Sequence, residues 1–209
     1  NSNSQFVFLS TKKGTVKKTA LSEFENIRRN GIAAIKLEKG DELVWSKLTD
    51  GTQDVILTTK DGKAIRFSEK SVRPLGRSTM GVRGIKLGSD DNVIGMDVVA
   101  KDDKPDLLVI MERGLGKKTS ANLFRGQSRG GKGMKLAKVT PKTGKVVFAQ
   151  VIPPSCKEVI ITSKRGQVVK IGIESIPRLN RDTQGVILMR FSGTTDGVTS
   201  ATCIEDIIK

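Results

Sequence analysis

The sequence predicts an all-β, propeller-like fold of four blades, each of about 50 residues and four strands. Three observations predict it. Gly14, Gly62, Gly114 and Gly166 recur at intervals of 48, 52 and 52 residues, each in a charged turn between two apolar runs. A second set, Gly31, Gly81, Gly133 and Gly185, recurs at intervals of 50, 52 and 52. A fixed period of this length in a strand-rich chain signals a radial or solenoid β architecture. Finally, no segment carries a convincing helical stripe, while short apolar runs bounded by turn signals recur throughout.

Each period reads as four strands. The first precedes the hairpin glycine: Phe6–Leu9, Val55–Leu57, Leu107–Ile110 and Val159–Ile161. The turn that follows, Lys12-Lys13-Gly14 and its equivalents, needs glycine for the positive φ of a tight hairpin. The second strand follows the glycine, as in Gln167–Ile171. A basic connection then leads to the second glycine, with a short helical stretch possible only in Leu21 to Arg29. The third strands are Ile32–Leu37, Val82–Leu87, Met134–Val139 and Val186–Phe191, and their inward set includes Ile35, Leu37, Ile85, Leu87, Val139 and Phe191. The fourth strands include Leu43–Trp45, Val93–Met96, Val146–Phe148 and Val198–Ile204. This gives one repeat-built domain over 1–209, with approximate repeats 1–50, 51–103, 104–153 and 154–209. The start, Asn1-Ser2-Asn3-Ser4 without methionine, reads as a fragment of a longer protein. WD and kelch blades match poorly: Trp45 is the one tryptophan and lacks the following aspartate, Gly130-Gly131 occurs once, and tyrosine is absent.

The formal net charge of +15 points to a polyanionic partner, nucleic acid first. Histidine is absent, which removes the commonest general base and metal ligand. No nucleophile motif or carboxylate cluster recommends a self-contained enzyme; no catalytic residue, metal, cofactor or small-molecule ligand is expected. Cys156 and Cys203 form no CxxC pair and read as unpaired thiols. No apolar stretch approaches membrane length.

The charge has its own period. Lys18, Arg66, Lys118 and Lys170 stand four residues after the hairpin glycine. Lys36, Lys86, Lys138 and Arg190 stand five after the second glycine, between apolar neighbours, so strand alternation sends them outward. Arg77, Arg129 and Arg181 stand four before the second glycine, a position shifted to Arg28-Arg29 in the first repeat. The stretch Arg113 to Lys145 holds ten basic residues, Lys117 and Lys132 among them, and no acidic one. At its centre lies Gln127-Ser128-Arg129-Gly130-Gly131-Lys132-Gly133, a loop whose glycines allow close approach of a phosphate backbone. It is not a Walker A loop, because Gly133 rather than Ser or Thr follows Lys132. All these cations are candidate DNA contacts.

Asn30–Leu37 with Gly40–Leu43, Gly81–Leu87, Thr183–Leu188 and Gln127–Gly133 resemble the C-terminal domain of DNA gyrase A, the β-pinwheel of type IIA topoisomerases. Gln127–Gly133 is similar to the family's box, Q-R-R-G-G-K-G, with Ser128 in place of one arginine. The resemblance implies a non-catalytic module that wraps duplex DNA with little sequence preference on a basic rim. It implies partnership with the rest of gyrase A and with gyrase B, ATP-driven negative supercoiling by the whole enzyme, and a cytoplasmic, nucleoid-associated location. Two departures stand out. The family usually has six blades and carries its box in the first; here four are visible and the box-like loop is in the third. Absence of two N-terminal blades accounts for both. The alternatives are the related C-terminal domain of topoisomerase IV and a basic propeller-type scaffold for acidic protein partners.

Overall fold

A computed structural model describes residues 5–27, 29–193 and 195–205. The chain divides into two compact units. One comprises Asn1–Leu57, Ile65–Asp103 and Gly126–Gly133; the other comprises Thr58–Ala64, Lys104–Arg125 and Met134–Lys209. Arg28 of the predicted cation set lies outside the described residues.

Each repeat begins with an antiparallel hairpin closed by its glycine. The first is β1 (Phe6–Thr11) and β2 (Thr15–Ala20), with Leu9 opposite Lys17 and Phe8 opposite Lys18. β3 (Leu43–Thr49) pairs with the other side of β1. The second repeat supplies β4 (Asp54–Thr59), β5 (Lys63–Ser68), β6 (Val82–Arg83) and β7 (Val93–Val99). The third supplies β8 (Asp106–Met111), β9 (Leu115–Ser120), β10 (Met134–Lys135) and β11 (Val146–Val151), and the fourth supplies β12 (Cys156–Ser163), β13 (Val168–Gly172), β14 (Val186–Ile187) and β15 (Val198–Glu205). Gly14, Gly62, Gly114 and Gly166 all have φ between 73° and 85°, the left-handed region that the hairpin turn was expected to require. The only helical geometry among the described residues is single 3-10 turns, such as Leu21–Phe24 within the stretch where a short helix was expected.

The sheets run β3-β1-β2-β6, β7-β4-β5-β10, β11-β8-β9-β14 and β15-β12-β13. This corrects the expected blade. The third strand does not complete its own repeat; it crosses to the hairpin of the repeat before. Thr15 and Val16 pair with Arg83 and Val82, Ala64 with Met134, and Gly116 with Val186. The strand is also far shorter than predicted. After two ladder residues it turns over the hairpin glycine, whose carbonyl accepts two successive amides: Gly84 and Ile85 at Gly14, Leu136 and Ala137 at Gly62, Leu188 and Met189 at Gly114. A Cβ on Gly62 would stand 2.8 Å from Val139 Cγ2, so close approach as well as φ requires glycine there.

In the first repeat, residues 31–38 have no strand geometry, because no hairpin edge among the described residues receives them. Of the predicted inward set, Ile85 is buried, Ile35, Leu87, Val139 and Phe191 are half-buried, and Leu37 is 41 % exposed. The reason is the same: their burial comes from the neighbouring hairpin rather than from strand alternation.

The first unit has its core in Phe8, Val16, Val55, Leu57, Ile65, Phe67, Val72, Ile85, Val93 and Met96. In the second, Leu108, Ile110, Cys156, Val159, Ile161, Ile173, Ile176, Met189 and Val198 form a buried cluster. Cys156 and Cys203 are free, and burial together with the neighbouring Cys156 pushes the Cys203 thiol up to about 12. No helix among the described residues is long and apolar enough to cross a membrane.

Candidate nucleic-acid interface

The four cations after the second glycine face outward as expected, although they lie beyond the short third strands. Lys36, Lys86, Lys138 and Arg190 are all exposed, and none makes an ion pair among the described residues. Three of the four are tied down through their amides. The amides of Lys36, Lys86 and Lys138 donate to the carbonyls of Thr79, Gly131 and Thr183, at 3.1, 2.8 and 3.1 Å. Each acceptor lies two residues before the second glycine of the following repeat. A presented cation and the loop that braces it thus come from consecutive repeats.

In the first unit, a groove of about 600 Å³ separates two of these cations. Lys13, Lys36, Arg83 and Lys86 line it, together with Glu38 and Asp41. Asp41 is occupied in accepting the amides of Lys13 and Glu42, at 2.9 and 2.8 Å. The lining is therefore basic on balance, four cationic side chains against two carboxylates. Arg83, exposed beside the box-like loop, was not singled out from the sequence, because the second, third and fourth repeats carry Arg, Lys and Ile there and show no periodic cation.

The cations after the hairpin glycine are a correction. Lys18 and Arg66 are buried, and Lys118 is half-buried. Lys18 Nζ donates to the Glu69 carbonyl at 2.9 Å, lies 3.7 Å from the Glu69 carboxylate and sits 4.9 Å over the Phe6 ring. Arg66 pairs with Asp54 at 2.8 Å, and Lys118 Nζ donates to the Ile173 carbonyl at 2.9 Å. The cause is topological. The connection of the next repeat runs along this strand, with Leu75, Gln127 and Leu179 donating to the carbonyls of Lys18, Arg66 and Lys118. What looked like an exposed strand face is covered. Lys170, where no further connection lies along the strand among the described residues, is exposed but paired with Glu158 at 2.9 Å.

Lys117 is a second correction. It is completely buried, and its ammonium donates to the carbonyls of Asn180 and Arg181 and to Thr183 Oγ1. Burial holds its pKa down at about 8, with Asp182 pulling the other way. It has no surface to offer DNA.

The box-like loop packs against the second repeat. Gln127 N donates to Arg66 O, Gly130 N to Gly84 O, and Gly131 O accepts from Lys86 N. Gly130 has φ 78°, which a side chain would strain. Arg129 is half-buried and donates to the carbonyls of Ser71 and Arg83, at 3.0 and 3.3 Å. Arg77 and Arg181 repeat this contact on Ala33 and Lys135. These three arginines clamp the segment after the second glycine of the preceding repeat with one part of the guanidinium. Lys132, by contrast, is exposed and makes no ion pair among the described residues.

Known proteins share this repeat. A family model described as DNA gyrase C-terminal domain, beta-propeller, matches four consecutive stretches: 5–50, 53–100, 105–153 and 157–205. The chain belongs to this gyrase C-terminal domain family. A curated DNA gyrase A polypeptide from Staphylococcus aureus (strain MRSA252) is 38% identical over 205 residues, 98% of this chain. The chain spans 23% of the length of that relative. Among solved structures, a C-terminal domain of DNA topoisomerase IV superposes with TM-score 0.88 at 23% identity, covering 97% of this chain and 62% of its own. A DNA gyrase A C-terminal domain superposes with TM-score 0.80 at 25% identity, covering 95% and 65%. The all-β, propeller-like reading of the sequence thus stands. In this gyrase-type domain, Lys36, Lys86, Lys138 and Arg190 stand exposed after the second glycine, while Lys17, Lys18, Arg66 and Lys117 on the hairpin strands are buried.

Proposed function

We propose that this chain is the non-catalytic DNA-wrapping module of a DNA gyrase A polypeptide. It grips duplex DNA by its phosphates and bends it, with little regard to sequence. One observation carries the reading: every repeat presents an exposed cation, free of any ion pair among the described residues, five residues after its second glycine, Lys36, Lys86, Lys138 and Arg190. Cations repeated once in every period suit the repeated charge of a DNA backbone, and phosphate contacts position DNA without reading its sequence. Lys132 of the box-like loop adds a contact beside Lys86, making that loop one of several comparable grips. The module itself needs no metal or nucleotide for this. The chemistry of strand passage and ATP-driven negative supercoiling belongs to the rest of gyrase A and to gyrase B, acting on chromosomal DNA in the cytoplasm. Membership of the gyrase family supports this assignment.

The test is duplex binding as a function of salt. The logarithm of affinity should fall linearly with the logarithm of salt concentration, by about 0.9 for each phosphate neutralised, and alike for unrelated sequences. Affinity indifferent to salt would overturn the reading, as would tight capture of one sequence only.

A further inference from the structure

Lys17 and Lys117 are fully buried lysines that touch no carboxylate among the described residues. Each stands three residues after a hairpin glycine, on β2 and on β9. A buried ammonium is costly unless its hydrogens are satisfied, so its acceptors were placed there by the fold. Lys17 Nζ donates to the carbonyls of Ala34, Arg77 and Thr79. Lys117 Nζ donates to the carbonyls of Asn180 and Arg181, both at 2.7 Å, and to Thr183 Oγ1 at 3.0 Å. Both cations thus gather the loop just before the second glycine of the next repeat. That loop carries a clamping arginine, Arg77 or Arg181. It also carries the carbonyl that braces a presented cation, Thr79 for Lys36 or Thr183 for Lys138.

The other two repeats lack the lysine. Ile65 and Val169 occupy the equivalent positions. In the first unit, Ile65 faces the box-like loop, where a Cβ on Gly131 would lie 3.6 Å from Ile65 Cδ1. There the loop is held by packing, by its amides and by Arg129.

We propose that Lys17 and Lys117 are positioning residues for the DNA-binding loops: each ammonium draws the carbonyls of its loop inward and so sets the place of Lys36 with Arg77, or of Lys138 with Arg181. The proposal rests on the DNA-binding reading above, although its structural half does not. Turning carbonyl oxygens toward a buried cation also takes their negative ends away from an approaching phosphate. The charged side chain that acts on Lys117 is Asp182 on the loop; those that act on Lys17 are Arg77 and Glu23.

The test uses the whole chain with Lys117→Met, and with Thr183→Val as a milder variant that removes one acceptor and keeps the lysine. Backbone hydrogen exchange is read first, without DNA. The Lys138 amide, which donates to Thr183 O, should exchange about tenfold faster or more in both variants, while the Lys86 amide on the box-like loop keeps its parental rate. Duplex affinity is read second. It should fall in Lys117→Met with a shallower salt slope, although Lys117 itself never reaches solvent, because Lys138 and Arg181 lose their places. Unchanged exchange at Lys138 in both variants would overturn the proposal. So would uniform acceleration of all amides, which would mark a lysine that only supports the core, or a parental affinity and slope in Lys117→Met. Should the parent chain fail to bind duplex at all, the DNA half falls, and local exchange at Lys138 still reads the positioning half on its own.

Discussion

The Lys86 amide donates to the Gly131 carbonyl at 2.8 Å, joining an exposed cation of the second repeat to the box-like loop of the third. This bond fixes the backbone from which Lys86 projects. It leads to a sharp contrast with Lys18, which is basic in the same periodic way but buried against Glu69.

Lys86→Glu should weaken duplex binding for all sequences alike and make the salt slope shallower by about one unit, with no loss of stability. Lys18→Gln should do the reverse. Removing one partner of a buried pair costs about 3–5 kcal/mol. Chemical denaturation and salt-dependent binding of the two variants separate the roles. Equal effects of both on the slope would return Lys18 to the interface.

The double variant Arg129→Ala, Lys132→Ala should lower affinity modestly and reduce the salt slope by about one unit rather than two. Lys132 is exposed, whereas Arg129 is half-buried and two of its five N–H groups are held by Ser71 O and Arg83 O. A bending assay should still report curved DNA. Near-complete loss of bending would make this loop the essential grip instead of one among several.

Ile85→Ala should cost about 2–5 kcal/mol, because Ile85 is buried against the Gly14 hairpin and the core of its unit. Leu37→Ala, at the position that matches Leu87, is 41 % exposed in a segment that pairs with no hairpin strand among the described residues, and should change stability by less than about 0.5 kcal/mol. Similar losses at both sites would mean that residues 31–38 are packed in the same way.

Lys117 makes the stability depend on pH in an identifiable direction. Its pKa is held at about 8 in the fold against an ordinary 10.5. Between these values the unfolded chain binds a proton that the folded chain does not, so this group's contribution to stability rises with pH across that window. Below about pH 8 both states carry the proton and the contribution is flat. Unfolding free energies of the parent should therefore gain on those of Lys117→Met as pH rises above about 8 toward 10.5, and a constant difference would show that Lys117 titrates normally.

Much of this is legible in the residues. The hairpin glycines announce four turns, and all four have positive φ. The outward cations are legible from their apolar neighbours Ile35, Ile85, Ala137 and Met189, although no strand runs through them. The donation of the third strand is not legible, because a period states that an element recurs and not which neighbour it joins. For that reason Lys18, Arg66 and Lys118 read as rim contacts: their strand looks open until the next repeat is laid along it. A signal for their pairing is present. Asp54, Asp106 and Glu158 each stand 12 residues before Arg66, Lys118 and Lys170, and Phe6 stands 12 before Lys18. Arg66 and Lys170 take the acid directly, Lys18 lies over the phenyl ring, and Asp106 is taken instead by Arg178 at 2.7 Å. Lys17 and Lys117 leave no such mark, since their partners are mostly backbone carbonyls that any sequence provides.

The central claim is that DNA is bent by the cations presented after the second glycines. The most direct test is ligation of a nicked circular duplex in the presence of the chain, with the products read by linking number after the protein is removed. The parent should give a shift of one sign, and there should be no shift when Lys36, Lys86, Lys138 and Arg190 are all replaced by glutamate in a variant that remains folded. A relaxed distribution with the parent would contradict the claim, as would a shift that survives the fourfold reversal.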